Sequence, residues 1–256
     1  MHYTEENSKT WDRWVDEGIV WGIPVSHDEF LRAKDGIWDV LLTPVIPVPH
    51  DWFLPFYGAE ILGLASGGGQ QMPIFTALGA HCTVLDNSEK QLASERLVAQ
   101  REEYDITVVK GDMTKRLPFD DSRFDLIFHP VSNCYIEDVQ HVWHECARIL
   151  KPGGVLLAGF DNGLNYLFDL DSEPLIVTNP LPFNPLKNPA YLEQLQRDDG
   201  GIQFSHSMTE QLGGQLKAGL VLTDLYEDRC TACALGKYMP EFMATRAVKT
   251  NIQNFK

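Results

Sequence analysis

The residues with the most chemical promise are Gly67, Gly68 and Gly69, reached from the apolar run Ile61–Leu64 through Ala65 and Ser66. A helical pattern follows, with Pro73 in its first turn and Gly79 just past its end, so the stretch reads as strand, tight loop and helix. Glycines permit positive φ and let a backbone approach a ligand with no Cβ in the way. Amides at the start of the helix would then face that ligand. A plain turn uses the same residue types, so the decision rests on what lies downstream. Asp86 closes the next apolar run, Cys82–Leu85, about 20 residues past the glycines, the spacing at which an acid binds a ribose diol. Gly111-Asp112-Met113 closes a third run, with an acid suited to an adenine amino group and a thioether to pack on the ring. His129, Pro130, Val131, Ser132 and Asn133 close a fourth.

Regular elements must position these residues. Expected strands are Ile61–Leu64, Cys82–Leu85, Ile106–Val109, Phe124–Phe128 and Val155–Phe160, followed by Leu220–Tyr226 and Phe242–Val248. Helical patterns fall between them: about Gln70–Leu78, a helix capped by Ser88 and Gln91 that runs to about Tyr104, the spaced apolar set Val139 to Leu150, and a helix near Ser207–Ala218 with Thr209 as its cap. Repeated strand–helix units predict an α/β fold, a doubly wound, Rossmann-like, mostly parallel seven-stranded sheet with helices on both faces. In such a sheet, ligands bind beyond the carboxyl ends of the strands, where the residues named above cluster.

Two segments stand outside that rhythm. Residues 1–57 carry many aromatics and precede the first strand. We expect helices at Trp11–Val20 and at about Asp28–Asp35, the latter behind a Ser26/Glu29 capping box, then an extended Leu42–Pro49 because proline blocks helix. Residues 161–204 hold five prolines and are too long for an ordinary loop. The expected organisation is an N-terminal lid segment, 1–57, and a ligand-binding domain, 58–256, with 161–204 as a cap insertion.

Composition bounds the function. Lys and Arg number 21 against 36 Asp and Glu, a formal charge of -15. A surface that grips phosphate backbones carries a basic face, so no nucleic-acid partner is expected and a small-molecule substrate is. No apolar run approaches the ~20 residues of a membrane span. The polar start Met1–Glu6 is unlike a signal peptide, and five cysteines without a framework pattern suggest a reduced, cytoplasmic protein. Cys230-Thr231-Ala232-Cys233 is a lone pair lacking the further ligands a zinc site needs. His141, His144 and Glu145 read as a solvated helix face, so no metal site is expected.

The order of Leu62–Gly69, Asp86, Gly111-Asp112-Met113, Phe124–Phe128 and Leu150-Lys151-Pro152-Gly153-Gly154 resembles class I S-adenosylmethionine-dependent methyltransferases. The Ala-Ser-Gly-Gly-Gly-Gln-Gln and His-Pro-Val-Ser-Asn stretches look like a bacterial subgroup of small methyltransferases. The resemblance implies S-adenosyl-L-methionine as cofactor. Ala65, Ser66, Gly67, Gly68, Gly69 and Gln70 would pass its methionine part. Asp86 would bind the ribose, with Asn87, Ser88 and Gln91 near the adenine edge. Gly111, Asp112 and Met113 would bind adenine, and His129 and Val131 would line the cofactor beyond the fourth strand. This chain departs from the family where an acid two residues before the loop is replaced by Gly63 and the first loop glycine by Ala65. Gln70, Gln71 or an N-terminal residue is expected to serve in place of that acid.

Sulfonium methyl transfer is an in-line displacement with a neutral leaving group, so alignment and desolvation carry most of the acceleration. A base matters where the acceptor keeps a proton, and His129 is the candidate. Asn133 and Tyr135 are candidates to orient an acceptor, and Asp161 and Asn162 face the same cleft. Two other functions fit parts of the pattern. A nicotinamide-dependent oxidoreductase shares the Asp86 spacing, but its third loop glycine would stand at Met72. A non-catalytic S-adenosylmethionine-binding protein would carry the same strand ends.

Overall fold

The computed structural model describes residues 2–170, 172–232 and 234–250. In chain order the elements are α1 (Tyr3–Asp16), α2 (His27–Lys34), β1 (Glu60–Leu64), α3 (Met72–Ala77), β2 (His81–Asp86), α4 (Glu89–Glu102), β3 (Thr107–Lys110), β4 (Phe124–His129), α5 (Val139–Ile149) and β5 (Leu150–Asp161). Then come β6 (Phe168–Asp169), β7 (Ile176–Val177), α6 (Pro189–Arg197), α7 (Met208–Lys217), β8 (Leu220–Asp228) and β9 (Phe242–Lys249). Seven strands form one sheet in the order β3-β2-β1-β4-β5-β9-β8. The first five run parallel, and β9 is antiparallel to both β5 and β8. The order reverses between β1 and β4, which puts the crevice for a ligand above those strands.

Alternation along the strands builds a core on each face. Leu62, Leu64, Ile127, Leu156, Ala158 and Phe160 pack with Trp143, Val142 and Cys146 of α5. Ile61, Val84, Leu126, Phe128 and Leu157 pack on the other side with Phe75 of α3 and Leu92 of α4. The expected doubly wound sheet is therefore present, with the inner parallel strands β1, β2, β4 and β5 buried on both faces and β3 left as a partly exposed edge.

Residues before β1 divide into two parts. The capping box at Ser26 and Glu29 starts α2 as expected. Beyond it, Val40, Leu42, Val48 and Trp52 belong to the second core, and Phe53 and Phe56 stack against Phe128 and Phe75. The first part, α1, begins at Tyr3 rather than at Trp11. The apolar pattern starts late because the inner face of its first turns is polar: Thr4 and Asn7 are buried there. At the other end of the chain, α7 is capped by Ser207 with Glu210 in a capping box, so Thr209 is not the cap. The segment 161–204 holds a short 3-10 turn at Leu164–Leu167, the β6–β7 hairpin and α6.

Two minor expectations fail. Cys82, Cys134 and Cys146 are free and buried, but Cys230 is disulfide-bonded, and Cys233 lies outside the described residues. Glu145 is not on a solvated face: it is buried, pairs with Arg148 at 2.7 Å and accepts the Leu117 amide at 2.7 Å. Among the described residues no helix is long and apolar enough to cross a membrane.

A strap at residues 40–48 crosses the carboxyl ends of β4 and β5. The Val131 amide donates to the Leu42 carbonyl at 3.1 Å, and the Asp228 carboxylate accepts the Val45 and Ile46 amides at 2.7 and 3.0 Å. The strap lies so close to β5 that a Cβ on Gly159 would stand 2.1 Å from the Leu42 carbonyl oxygen. Backbone meets backbone there, so no side-chain rotation relieves the clash. Gly159→Ala is expected to cost about 3 kcal/mol or more in urea denaturation, the range of severe overpacking. A loss under about 1 kcal/mol would mean that the strap is free to lift.

Candidate functional site

A cavity of about 670 Å³ opens over the carboxyl ends of β1 to β5. Its floor near β1 is Ala65, Ser66 and Gly67; its β2 side is Leu85, Asp86, Asn87, Ser88 and Gln91; its β3 side is Gly111, Asp112 and Met113. Val131, Ser132 and Tyr135 follow β4, and Asp161 ends β5. Thr4, Asn7, Ser8 and Trp11 of α1 face it from the outside, with Asn165 and Tyr166 from the insertion.

The glycine loop is shaped mainly by its own protein. Ala65 has φ +48°, Gly68 +105° and Gly69 +72°. The Gly67 amide donates to Asp86 Oδ2 at 3.0 Å, that of Gly68 to the Gln91 carbonyl at 3.0 Å, and that of Gly69 to Glu95 Oε1 at 2.8 Å. The amides of all three loop glycines are thus used internally. A Cβ at Gly67 would sit 2.7 Å from Gln91 Cβ and 3.0 Å from Asp86 Oδ2, so the close approach that requires glycine is to α4 and β2. Gly68 and Gly69 lie behind this layer and do not line the cavity, a correction to the expected set.

Asp86 lies between loop and helix. Its Oδ1 accepts the Ser88 amide at 2.8 Å, while Oδ2 takes that of Gly67. Burial pushes its carboxyl up, and the amides at Ser88 and Gly67 oppose that shift by stabilising the anion. The Gln91 side-chain oxygen, close to Gly68 and Gly22, is buried without a hydrogen-bond partner. Asp112 Oδ1 accepts the Thr114 amide at 2.8 Å, and the neighbouring Met113 is 8% exposed on the wall. Gly111 is a glycine because a Cβ would meet Leu85 Cδ1 at 2.9 Å, closing the slot between β2 and β3.

His129 and Asn133 are corrected. The alternation of β4 turns the imidazole away from the cavity and onto Trp143, ring centroids 6.0 Å apart. Its Nδ1 lies 2.8 Å from the Leu64 carbonyl oxygen and its Nε2 2.8 Å from Asn133 Oδ1. Both residues are fully buried, and Asn133 donates onward to Gln211 at 3.0 Å. Burial lowers the imidazole pKa, and the hydrogen bonds to Leu64 and Asn133 oppose that shift. The pair joins β1, β4 and α7, and neither side chain reaches an acceptor in the cavity. Tyr135 does line it, edge-on to Trp11 at 5.6 Å, and burial raises its phenol well above the ordinary value.

The missing acid at Gly63 has a steric origin. A Cβ there would come within 2.9 Å of Met72 Sδ, so the thioether fills the place of a longer side chain. Of the expected substitutes, Gln70 donates its amide to the Val20 and Ile23 carbonyls, each at 3.0 Å, and Gln71 accepts from the Ser66 hydroxyl at 2.9 Å. Both line the cavity while tied to other protein groups.

Sequence reasoning missed Asn7, Trp11, Asn165 and Tyr166. Trp11 stood in an aromatic-rich stretch, the only signal for any of them; the insertion has no periodicity to read. It also missed Glu95, fully buried on α4, whose Oε1 holds the Gly69 amide while Oε2 has no partner. Among the described residues no Lys, Arg or His lines the cavity, whose ionisable carboxylates are Glu29, Asp39, Asp86, Asp112 and Asp161.

Comparison with known proteins adds three findings. Residues 62–158 match a family model described as a methyltransferase domain. The chain is 42% identical over 248 residues to an uncharacterised methyltransferase of Bacillus subtilis, YbaJ, covering 95% of this chain and 97% of that one. It is similar in fold to a crystal structure of an S-adenosylmethionine-dependent methyltransferase from Mesorhizobium loti, with a TM-score of 0.61 at 19% identity over 77% of this chain and 94% of that one.

Burial raises the Glu95 carboxyl to about 8, with the Asp86 charge adding to the shift. An acid raised on folding binds its proton more tightly in the folded chain. Its stabilising contribution is full below the unfolded value, about 4.5, and is lost as pH rises through about 8. Glu95→Gln keeps the acceptor for Gly69 and removes the titration. In urea melts the variant should match the wild type near pH 4.5 and exceed it by roughly 2–5 kcal/mol at pH 9. Parallel pH profiles would mean that Glu95 is ionised in the folded protein.

Proposed function

The chain belongs to the class I S-adenosylmethionine-dependent methyltransferases, and on that premise we propose that it methylates an apolar small molecule, neutral or positively charged, in the cavity over β1 to β5. Bound S-adenosylmethionine supplies a methyl group on a sulfonium, which departs as a neutral thioether. A nicotinamide-dependent oxidoreductase is set aside by the family. The observation that carries the acceptor reading is the lining: carboxylates, aromatic rings and no basic side chain. An anionic acceptor would enter a partly desolvated space against like charge, which costs several kcal/mol at such contacts.

The residues present fit the cofactor. The free lone pairs of Asp86 suit the two hydroxyls of a ribose. Leu85, Met113 and Ile136 give the lining apolar surface for an adenine ring, with Asp112, next to Met113, for its amino group. Ala65, Ser66, Gly67 and Gln70 run from there along the floor. In this reading α1 and the insertion are the lid and cap. Asn7 donates to the Tyr135 and Ile202 carbonyls at 3.2 and 2.9 Å, and Arg13 forms a paired contact with Asp199. Closure by both segments excludes water and holds the acceptor in line with the methyl group.

Two measurements test this function. S-adenosylhomocysteine should raise the melting temperature and NAD should not. In calorimetry, Asp86→Asn, which keeps one acceptor for the loop amides, should weaken S-adenosylhomocysteine by about 10- to 150-fold, equivalent to the loss of ~1.5–3 kcal/mol from a charged hydrogen bond. Unchanged affinity in a folded Asp86→Asn protein would remove Asp86 from the ribose role.

A further inference from the structure

The β5 end of the cavity holds two oxygens whose bonding the protein leaves incomplete. Asp161 is 4% exposed, and its Oδ1 accepts the Gly163 amide at 2.8 Å. Among the described residues no cation pairs with it. Asn165, in the 3-10 turn that follows, lines the same cavity with its side-chain oxygen buried and without a partner. Tyr135 and Tyr166 stand near Asp161, and Trp11 packs edge-on against Tyr135. β2 and β5 are three strands apart, about 14 Å at ordinary strand spacing, so this end is separate from the proposed ribose and adenine contacts.

We propose that Asp161 and Asn165 receive the protonated primary or secondary amine of the acceptor, and that the product is an N-methylated amine. The inference rests on the methyl-transfer reading above. A hydroxyl has one hydrogen and can satisfy one of the two oxygens. An ammonium with two or more N–H groups satisfies both, and it supplies the counter-charge that a buried carboxylate otherwise lacks. Aromatic faces attract the same cation. Burial raises the Asp161 carboxyl to about 6, so it is largely ionised at neutral pH and able to take a proton. The ammonium gives one proton to the Asp161 carboxylate, and the freed nitrogen lone pair forms the N–C bond. The methyl C–S bond breaks with its electron pair staying on sulfur, and the proton leaves Asp161 for water after release. With His129 buried beneath the floor, Asp161 is the base within reach of that nitrogen.

Matched probes test this. Phenethylamine against 2-phenylethanol, and tryptamine against tryptophol, are titrated calorimetrically into the protein saturated with S-adenosylhomocysteine. At least one amine should bind tenfold or more tightly than its alcohol. Asp161→Asn should abolish that preference and Asn165→Ala should reduce it several-fold, both with S-adenosylhomocysteine affinity unchanged. Asn165→Ala is the safeguard if Asp161→Asn does not fold. Tight S-adenosylhomocysteine binding with no amine preferred over its alcohol, or with a preference that survives in the folded variants, overturns the assignment alone. No S-adenosylhomocysteine binding in the wild type overturns the methyl-transfer reading and this assignment with it.

Discussion

Three successive amides, those of Gly67, Gly68 and Gly69, are held by the segment from Asp86 through Glu95. That clamp sets the height of the loop above the sheet and hence the depth of the cavity. It also explains why glycine is needed there, since a Cβ would strike α4 before it struck any ligand. One of the three acceptors is a buried acid with a raised pKa. A neutral Glu95 holds the loop without placing a second buried anion behind Asp86, a pairing that would be costly in low dielectric.

The chain before β1 is fastened in two different ways. The strap and the aromatics from Trp38 to Phe56 are part of a core, bound by apolar contact and close backbone approach. α1 is held by ring contacts to Phe204 and Tyr135 and by hydrogen bonds. The Ser8 hydroxyl donates to the Asn87 carbonyl, the Asn87 side chain to the Thr4 carbonyl, and the Ser88 hydroxyl and Lys90 amide to Asp12 Oδ1. Hydrogen bonds of this kind contribute about 1 kcal/mol each and can be exchanged for water. The segment over the cavity is therefore the more easily released of the two, as a cover for a ligand must be.

Carboxylates stand at both ends of the cavity. Asp86 and Asp112 at the β2 and β3 ends bond to neighbouring backbone amides, and each keeps lone pairs for a ligand. Asp161 at the β5 end accepts the Gly163 amide, and burial raises its carboxyl as it does that of Asp86.

The sequence by itself determined the sheet, its helices and the strand ends that face the cavity, because apolar period and glycine spacing are local signals. Asp86, Asp112 and Met113 were legible for the same reason: each closes a strand whose end must lie at the crevice. Only the tertiary structure decided that His129 is sealed from the cavity: it shares a face of β4 with Ile127, and Trp143 of α5 covers that face. It also decided that the loop amides are satisfied by α4, a contact between residues 20 to 30 apart that no local pattern encodes. Asn7 and Asn165 were hidden because a polar residue covered by a distant segment reads, in the chain, like any solvated one, whereas Trp11 stood out only as one of many aromatics. The empty place at Gly63 was visible as a departure, but its cause, the Met72 thioether lying against it, exists only once α3 has folded back onto β1.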